Sequence, residues 1–112
     1  MLNQVVLVGR LTRDLELVES EEGKNVVLEL AIPRSFKNKD GEYENDFITC
    51  ILWNAMAERT AEYCHKGDIV GVKGRLQVDG LEKEDGTITY FTRVMAEKVT
   101  FLSSRKPEEE EC

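Results

Sequence analysis

The chain has 112 residues, 41% of them hydrophobic and 33% charged, which is enough for one small core and too short for a second domain. Lys and Arg total 15 against 22 Asp and Glu, a formal net charge of −7, so global charge works against nucleic acid or an anionic membrane and any such binding must come from local arrangement. No apolar run approaches the roughly 20 residues of a membrane span, the start Met1-Leu2-Asn3-Gln4 lacks the basic region of a signal peptide, and Cys50, Cys64 and Cys112 have no CxxC spacing. A cytoplasmic protein with buried thiols is expected, without a disulfide framework, a zinc knuckle or a cofactor.

Val5 to Leu11 is β-branched and apolar with Gly9 inside, the pattern of a strand that bends or is closely approached at that glycine. After the acidic turn Glu19 to Asn25, Val26 to Ile32 alternates, with Val26, Leu28, Leu30 and Ile32 on one face, and Pro33 is expected to end the strand because proline cannot donate to a ladder. Arg34 to Asp46 is a polar connection turning at Asp40-Gly41. Phe47 to Trp53 is the next strand: Ile48, Cys50 and Leu52 share one face, and Phe47, Thr49, Ile51 and Trp53 the other.

Asn54 is suited to cap a helix from Ala55 to His65, whose apolar stripe is Met56, Ala57, Thr60, Ala61 and Cys64, with Gly67 as the stop. Ile69 to Val78 alternates again, placing Val70, Val72, Leu76 and Val78 inward and Lys73, Arg75 and Gln77 outward. Asp85-Gly86 then turns the chain into a last strand from Thr87 to Phe101. From Ser103 periodicity ends and Glu108 to Glu111 form an acidic run, so residues 1–102 are expected to be the domain and 103–112 a disordered tail. Three strands, a short helix and a two-stranded hairpin, with glycines where a small sheet must bend, describe an all-β, five-stranded Greek-key barrel of the oligonucleotide/oligosaccharide-binding (OB) type, with the helix between its third and fourth strands.

Several segments in order resemble the bacterial single-stranded-DNA-binding protein family: Met1 to Leu11, Arg34-Ser35-Phe36, Asp46-Phe47-Ile48, Leu52 to Glu58, His65-Lys66-Gly67-Asp68, and Val72 to Leu76. The resemblance runs over residues 1 to 102 and implies a barrel that assembles as a homotetramer, a dimer of dimers, and binds single-stranded DNA without sequence preference. It further implies roles in replication, recombination and repair, and association with the nucleoid.

An unpaired strand offers the faces of its bases and its charged backbone, so a binding surface needs aromatic platforms flanked by Lys and Arg. Phe36, in the polar loop Arg34-Ser35-Phe36-Lys37-Asn38-Lys39, is one candidate platform, and the family carries stacking aromatics at the positions of Phe36, Phe47 and Trp53. Of Tyr90 and Phe91, which straddle the last strand, Tyr90 is the preferred platform. Arg10, Arg34, Lys37, Lys39, Lys66, Lys73 and Arg75 are the candidate phosphate contacts, Lys73 and Arg75 being preferred because they project from the outer face of a curved strand.

Some positions depart from the family pattern. The arm Asp79 to Gly86 holds one basic and four acidic residues, Leu81 stands where an aromatic is frequent, and Thr49 and Gln77 stand where arginine is frequent, which points to a weaker or more selective binder. The ending Lys106 to Cys112 has acidic charge without the Pro-Phe pair through which family members recruit replication and repair proteins, so such partners are expected only in reduced form. An enzyme is disfavoured: His65 is the single histidine and no glycine-rich phosphate loop is present. The rival reading is an OB-type protein-interaction or primosome-type accessory module with weak DNA binding, which would surround the aromatics with carboxylates.

Overall fold

A computed structural model describes residues 1–103; the acidic tail expected from the sequence lies outside the described residues. The elements are β1 (Val5–Leu11), β2 (Val18–Ser20), β3 (Gly23–Lys37), β4 (Tyr43–Trp53), α1 (Asn54–Tyr63), β5 (Ile69–Glu82) and β6 (Ile88–Ser103). The sheet runs β1-β5-β6-β4-β3-β2, and a second pairing of β1 with β3, Arg10 with Ala31 and Leu11 with Leu30, closes it into a barrel. All neighbouring strands are antiparallel except β4 and β6, which meet in parallel at Cys50–Val94 and Ile51–Met95.

The expected OB architecture is present with one addition. Val18–Ser20, exposed throughout, forms a short strand against β3, so α1 lies between the fourth and fifth strands in chain order instead of the third and fourth. Among the described residues no helix is long and apolar enough to cross a membrane.

Alternation explains the core. Val26, Leu28, Leu30, Cys50, Leu52, Val70, Val72 and Val94 point inward with Leu11, and α1 adds Ala57, with Cys64 just beyond it. Removing a buried leucine such as Leu28 would cost about 2–5 kcal/mol through lost burial and the cavity left behind. Gly9 is where closure is tightest: a Cβ there would lie 2.8 Å from Ile32 Cγ1 and 2.9 Å from the Ala31 carbonyl oxygen, so only glycine lets β1 come this near β3.

Four expectations need correction. The β3 strand does not stop at Pro33 but runs to Lys37 through an irregularity in its pairing with β4, a place where a missing N–H is tolerated. Asn54 is not a cap: its φ is +54°, a conformation asparagine tolerates better than most residues, and its Oδ1 accepts the Lys24 backbone N–H at 3.4 Å while Trp53 holds the cap position without a side-chain bond. The helix ends at Tyr63, two residues early, and the His65 N–H donates to Asp68 Oδ2 at 2.8 Å. Leu76 and Val78 are exposed, since β5 and β6 continue past Gly74 as an arm that leaves the barrel.

Candidate nucleic-acid interface

Directly paired residues of neighbouring strands share a sheet face, so register maps the outer surface. The face opposite the core on β4 carries Phe47, Thr49, Ile51 and Trp53, whose β3 partners are Ala31, Glu29, Val27 and Asn25. Arg10 pairs with Ala31, so Arg10, Ala31 and Phe47 form one row across β1, β3 and β4. On the other side Ile51 pairs with Met95, and Met95 with Arg75; the same face continues as Gln77–Arg93, Asp79–Phe91 and Leu81–Thr89 along the arm.

Phe47 is 60% exposed on this face, Trp53 is partly buried beside the start of α1, and Ile51 is buried at 3%. The predicted platforms Phe47 and Trp53 and the predicted cations Arg10 and Arg75 therefore share one surface. The exposed Arg10 guanidinium donates to the Gly67 carbonyl at 2.7 Å, which sets Lys66, in the loop after α1, beside it. The Lys66 backbone N–H is itself held by Asp14 Oδ1 at 2.8 Å. Phe36 is 70% exposed near the end of β3, where Lys37 lies 5.7 Å from the Tyr43 ring centre and Lys39 enters the turn to β4.

Three predicted residues are placed elsewhere. Arg34 donates through Nε and Nη2 to Asp46 Oδ1 at 3.1 and 2.9 Å and through Nη1 to Glu44 at 3.1 Å, on the side of the β3–β4 hairpin away from Phe47. Those bonds, Asp46 above all, raise the Arg34 pKa further above its ordinary value. Lys73 pairs with Val6 on β1 and Lys98 on β6, next to exposed aliphatic side chains. Tyr90 pairs with Gly80 and lies on the opposite face of the arm from Phe91.

Phe91 and Arg93 take the place on the aromatic face that Tyr90 was expected to fill. Arg93 lies 5.6 Å from the Phe91 ring centre and donates through Nε and Nη2 to Asp79 Oδ2 at 3.0 and 2.7 Å, while the Gln77 amide donates to Asp79 Oδ1 at 3.1 Å. The Arg93 bonds first, then that from Gln77, hold the Asp79 carboxyl below its ordinary range. The signal for this pair was Val94: with that residue in the core, odd positions of this stretch must face outward.

Other carboxylates, on β3, β2 and α1, are also matched by cations. Glu29, opposite Thr49, accepts the Thr12 hydroxyl at 2.9 Å and meets Arg13 at 3.4 Å. Lys24 donates to Glu58 at 2.6 Å with Glu19 at 3.6 Å, and the Glu58 bond is the main cause of its raised pKa. Asp14 and Glu16 join Glu29, Arg13 and Thr49 in lining one cleft, so the surface beside the aromatics mixes paired cations with carboxylates and is not a bare basic groove.

The sequence pattern described as "Single-strand binding protein family" matches residues 2–102. The chain belongs to that family. It is 49% identical over 110 residues to the Bacillus subtilis (strain 168) "Single-stranded DNA-binding protein B", covering 97% of this chain and 96% of that protein. It is 47% identical over 106 residues to a Bacillus cereus "Single-stranded DNA-binding protein", covering 94% of this chain and 62% of that longer relative. A solved structure titled "Plasmodium falciparum SSB complex with ssDNA" superposes with a TM-score of 0.77 at 19% identity, covering 92% of this chain and 97% of that one, which supports the fold.

Proposed function

We propose that this member of the single-strand binding protein family binds single-stranded DNA without sequence preference and protects it during replication, recombination and repair, as a binding protein and not an enzyme. The observation that carries this reading is the gathering of Phe47, Trp53, Arg10 and Arg75 on one outer sheet face. Bases stack on Phe47 and Trp53, and Phe36 offers a further ring on the β3–β4 hairpin. Arg10, Lys66 and Arg75 face the phosphates, with Lys37 and Lys39 beside Phe36. Each stacked base contributes about 1–3 kcal/mol, so platforms can outweigh a negative net charge.

The working form is a homotetramer in the cytoplasm, acting at the nucleoid. Support for assembly comes from β1, which pairs with β3 only at Arg10 and Leu11 and so leaves the edge from Val5 to Gly9 open beside the exposed Val6 and Val8. Carboxylates near the aromatics are what the accessory-module reading requires, but Glu29, Asp79 and Glu58 are each matched by a cation.

Titration of Trp53 fluorescence with poly(dT) tests the reading, because Trp53 is the single tryptophan and any quenching reports that platform. Saturable quenching at low salt is expected. An unchanged signal, together with no gain in anisotropy of a labelled oligo(dT), would reject it in favour of the accessory module.

A further inference from the structure

The arm places an arginine on the aromatic face and then occupies it. Arg93 lies between Phe91 and Asp79, and both N–H groups on the Nε/Nη2 edge of its guanidinium point at one carboxylate oxygen, Oδ2, at 3.0 and 2.7 Å. That edge is the one a phosphate uses for two parallel bonds. Asp79 is held in turn by the Gln77 amide, and about a third of each side chain of the pair is accessible, 32% for Arg93 and 29% for Asp79. The pair is neither a buried strut nor a loose surface contact.

We propose that Asp79 stands in for a DNA phosphate on Arg93, so that a strand crossing the arm engages this arginine only by exchanging one anion for another. The inference rests on the single-stranded-DNA reading above. Its consequence is thermodynamic. A phosphate neutralised by a free arginine releases a condensed cation, and each such contact on a single strand steepens the slope of log affinity against log salt by about 0.7. Where the phosphate displaces a carboxylate, the Asp79 charge stays beside the strand, the arm's local charge nets to zero, and little cation release results. Arg93 then selects for strands seated well enough to win the exchange, and contributes little to salt-driven, loosely placed binding. Among the described residues no arginine contacts Glu82 or Glu84, farther along the arm, in the way Arg93 contacts Asp79.

The test is oligo(dT) affinity as a function of NaCl for the full chain and three variants, Asp79→Asn, Arg93→Gln and the double substitution. Asp79→Asn keeps the shape and frees the guanidinium, so binding should tighten and the slope steepen by about 0.7 for each Arg93 engaged, an extra loss of about 2.6-fold over a fourfold rise in salt. Arg93→Gln breaks the same pair without exposing a cation and should not steepen the slope, which separates uncovering of positive charge from loosening of the arm. The double substitution removes the carboxylate with no arginine to free, so against Arg93→Gln it gives the effect of lost charge repulsion alone, which Asp79→Asn in the unmodified background should exceed. If the unmodified chain binds and Asp79→Asn leaves slope and affinity unchanged, or if its effect is no larger than that of the same substitution in the Arg93→Gln background, this inference is overturned while the functional reading stands. Failure of the unmodified chain and Asp79→Asn alike to bind oligo(dT) would remove both.

Discussion

Two outer surfaces of one barrel carry different chemistry. The face of β4 presents Phe47 and Trp53 with Arg10 and Arg75, whereas the outer surface of β1 and the start of β5 presents Val6 and Val8, 69% and 51% exposed, with Lys73 among them. Both are solvent-facing sides of the same closed sheet, and both carry apolar area that a lone soluble domain would rather cover. The side-chain type decides what covers each. Planar rings beside arginines match bases and phosphates, while branched aliphatics beside an open strand edge match another protein surface and offer nothing to a base. On the proposed function the barrel divides recognition by region: the β4 face, reached by Arg10 from the far end of β1 and by Arg75 from β5, meets nucleic acid, and the Val5 to Gly9 stretch of β1 meets a second copy.

The most forceful way to break this division is to charge the aliphatic side. Replacing Val6 and Val8 together by Asp should reduce the mass measured by light scattering severalfold at micromolar concentration. Burial of each valine is worth about 1.5–3 kcal/mol, and a two-fold interface counts every substitution twice. A monomeric mass for the unmodified chain, or no change in the variant, would show that β1 is not the assembly surface.

The aromatic side is tested by Phe47→Ala and Trp53→Ala, each expected to weaken oligo(dT) binding by about 1–3 kcal/mol. Their stabilities should differ, because Phe47 is exposed whereas Trp53 is partly buried beside the helix start. Melting of Phe47→Ala should stay close to that of the unmodified chain while Trp53→Ala melts lower. A variant whose binding loss merely tracks its unfolded fraction would take that residue off the DNA face.

Both faces rest on one core, so a perturbation of the core should disturb them together. Burial pushes the Cys50 thiol from an ordinary 9.0 up to about 12, and burial with the nearby Asp68 charge pushes Cys64 up to about 11. The folded state therefore keeps these thiols protonated where the unfolded chain would ionise them. Stability is fully present below about pH 9 and declines as pH rises toward those folded values. An alkaline melt should lose assembly and oligo(dT) binding in a single transition, and substitution of Cys50 and Cys64 by Ala and Ser should flatten the dependence. A pH profile unchanged by removing both thiols would place the alkaline sensitivity elsewhere.

Much of this was legible in the chain because a closed barrel core imposes strict alternation. Val26, Leu28, Leu30, Cys50 and Leu52 are buried as their parity requires. β2 was not, since Val-Glu-Ser gives too short a signal and none of it enters the core. Arm faces were harder to assign. The β6 register shifts between its Lys73 and Gly74 partners, where Lys98 is followed by Ala96, so Glu97 is an extra residue and the parity of Thr100 and Lys98 is inverted relative to Met95, Arg93 and Phe91. Parity alone says that only one of Tyr90 and Phe91 faces inward, and it is the register with β5 that puts Phe91 and Arg93 on the face of Phe47. Similarly, exposure of Arg34 and Lys73 could be read from sequence, but their neighbours could not. Asp46 and Glu44 reach Arg34 by cross-hairpin contact, and Val6 reaches Lys73 only through the closure of β1 onto β5.

The finest test of the division compares two basic residues one alternation apart on β5. Arg75 pairs with Met95, the neighbour of Ile51, and so belongs to the aromatic face; Lys73 pairs with Val6 and Lys98 and belongs to the aliphatic one. Among the described residues neither is in an ion pair, and both are exposed cations, so the comparison turns on position. Arg75→Gln should make the salt slope for oligo(dT) shallower by about 0.7 per arginine engaged, because one phosphate contact with free counterion release is lost. Lys73→Gln should leave that slope in place and instead change assembly, relieving the like-charge neighbour Lys98 beside the valines. If Lys73→Gln lowers the slope as much as Arg75→Gln does, the strand passes over β1 as well, and the nucleic-acid surface extends around the barrel rather than stopping at β5.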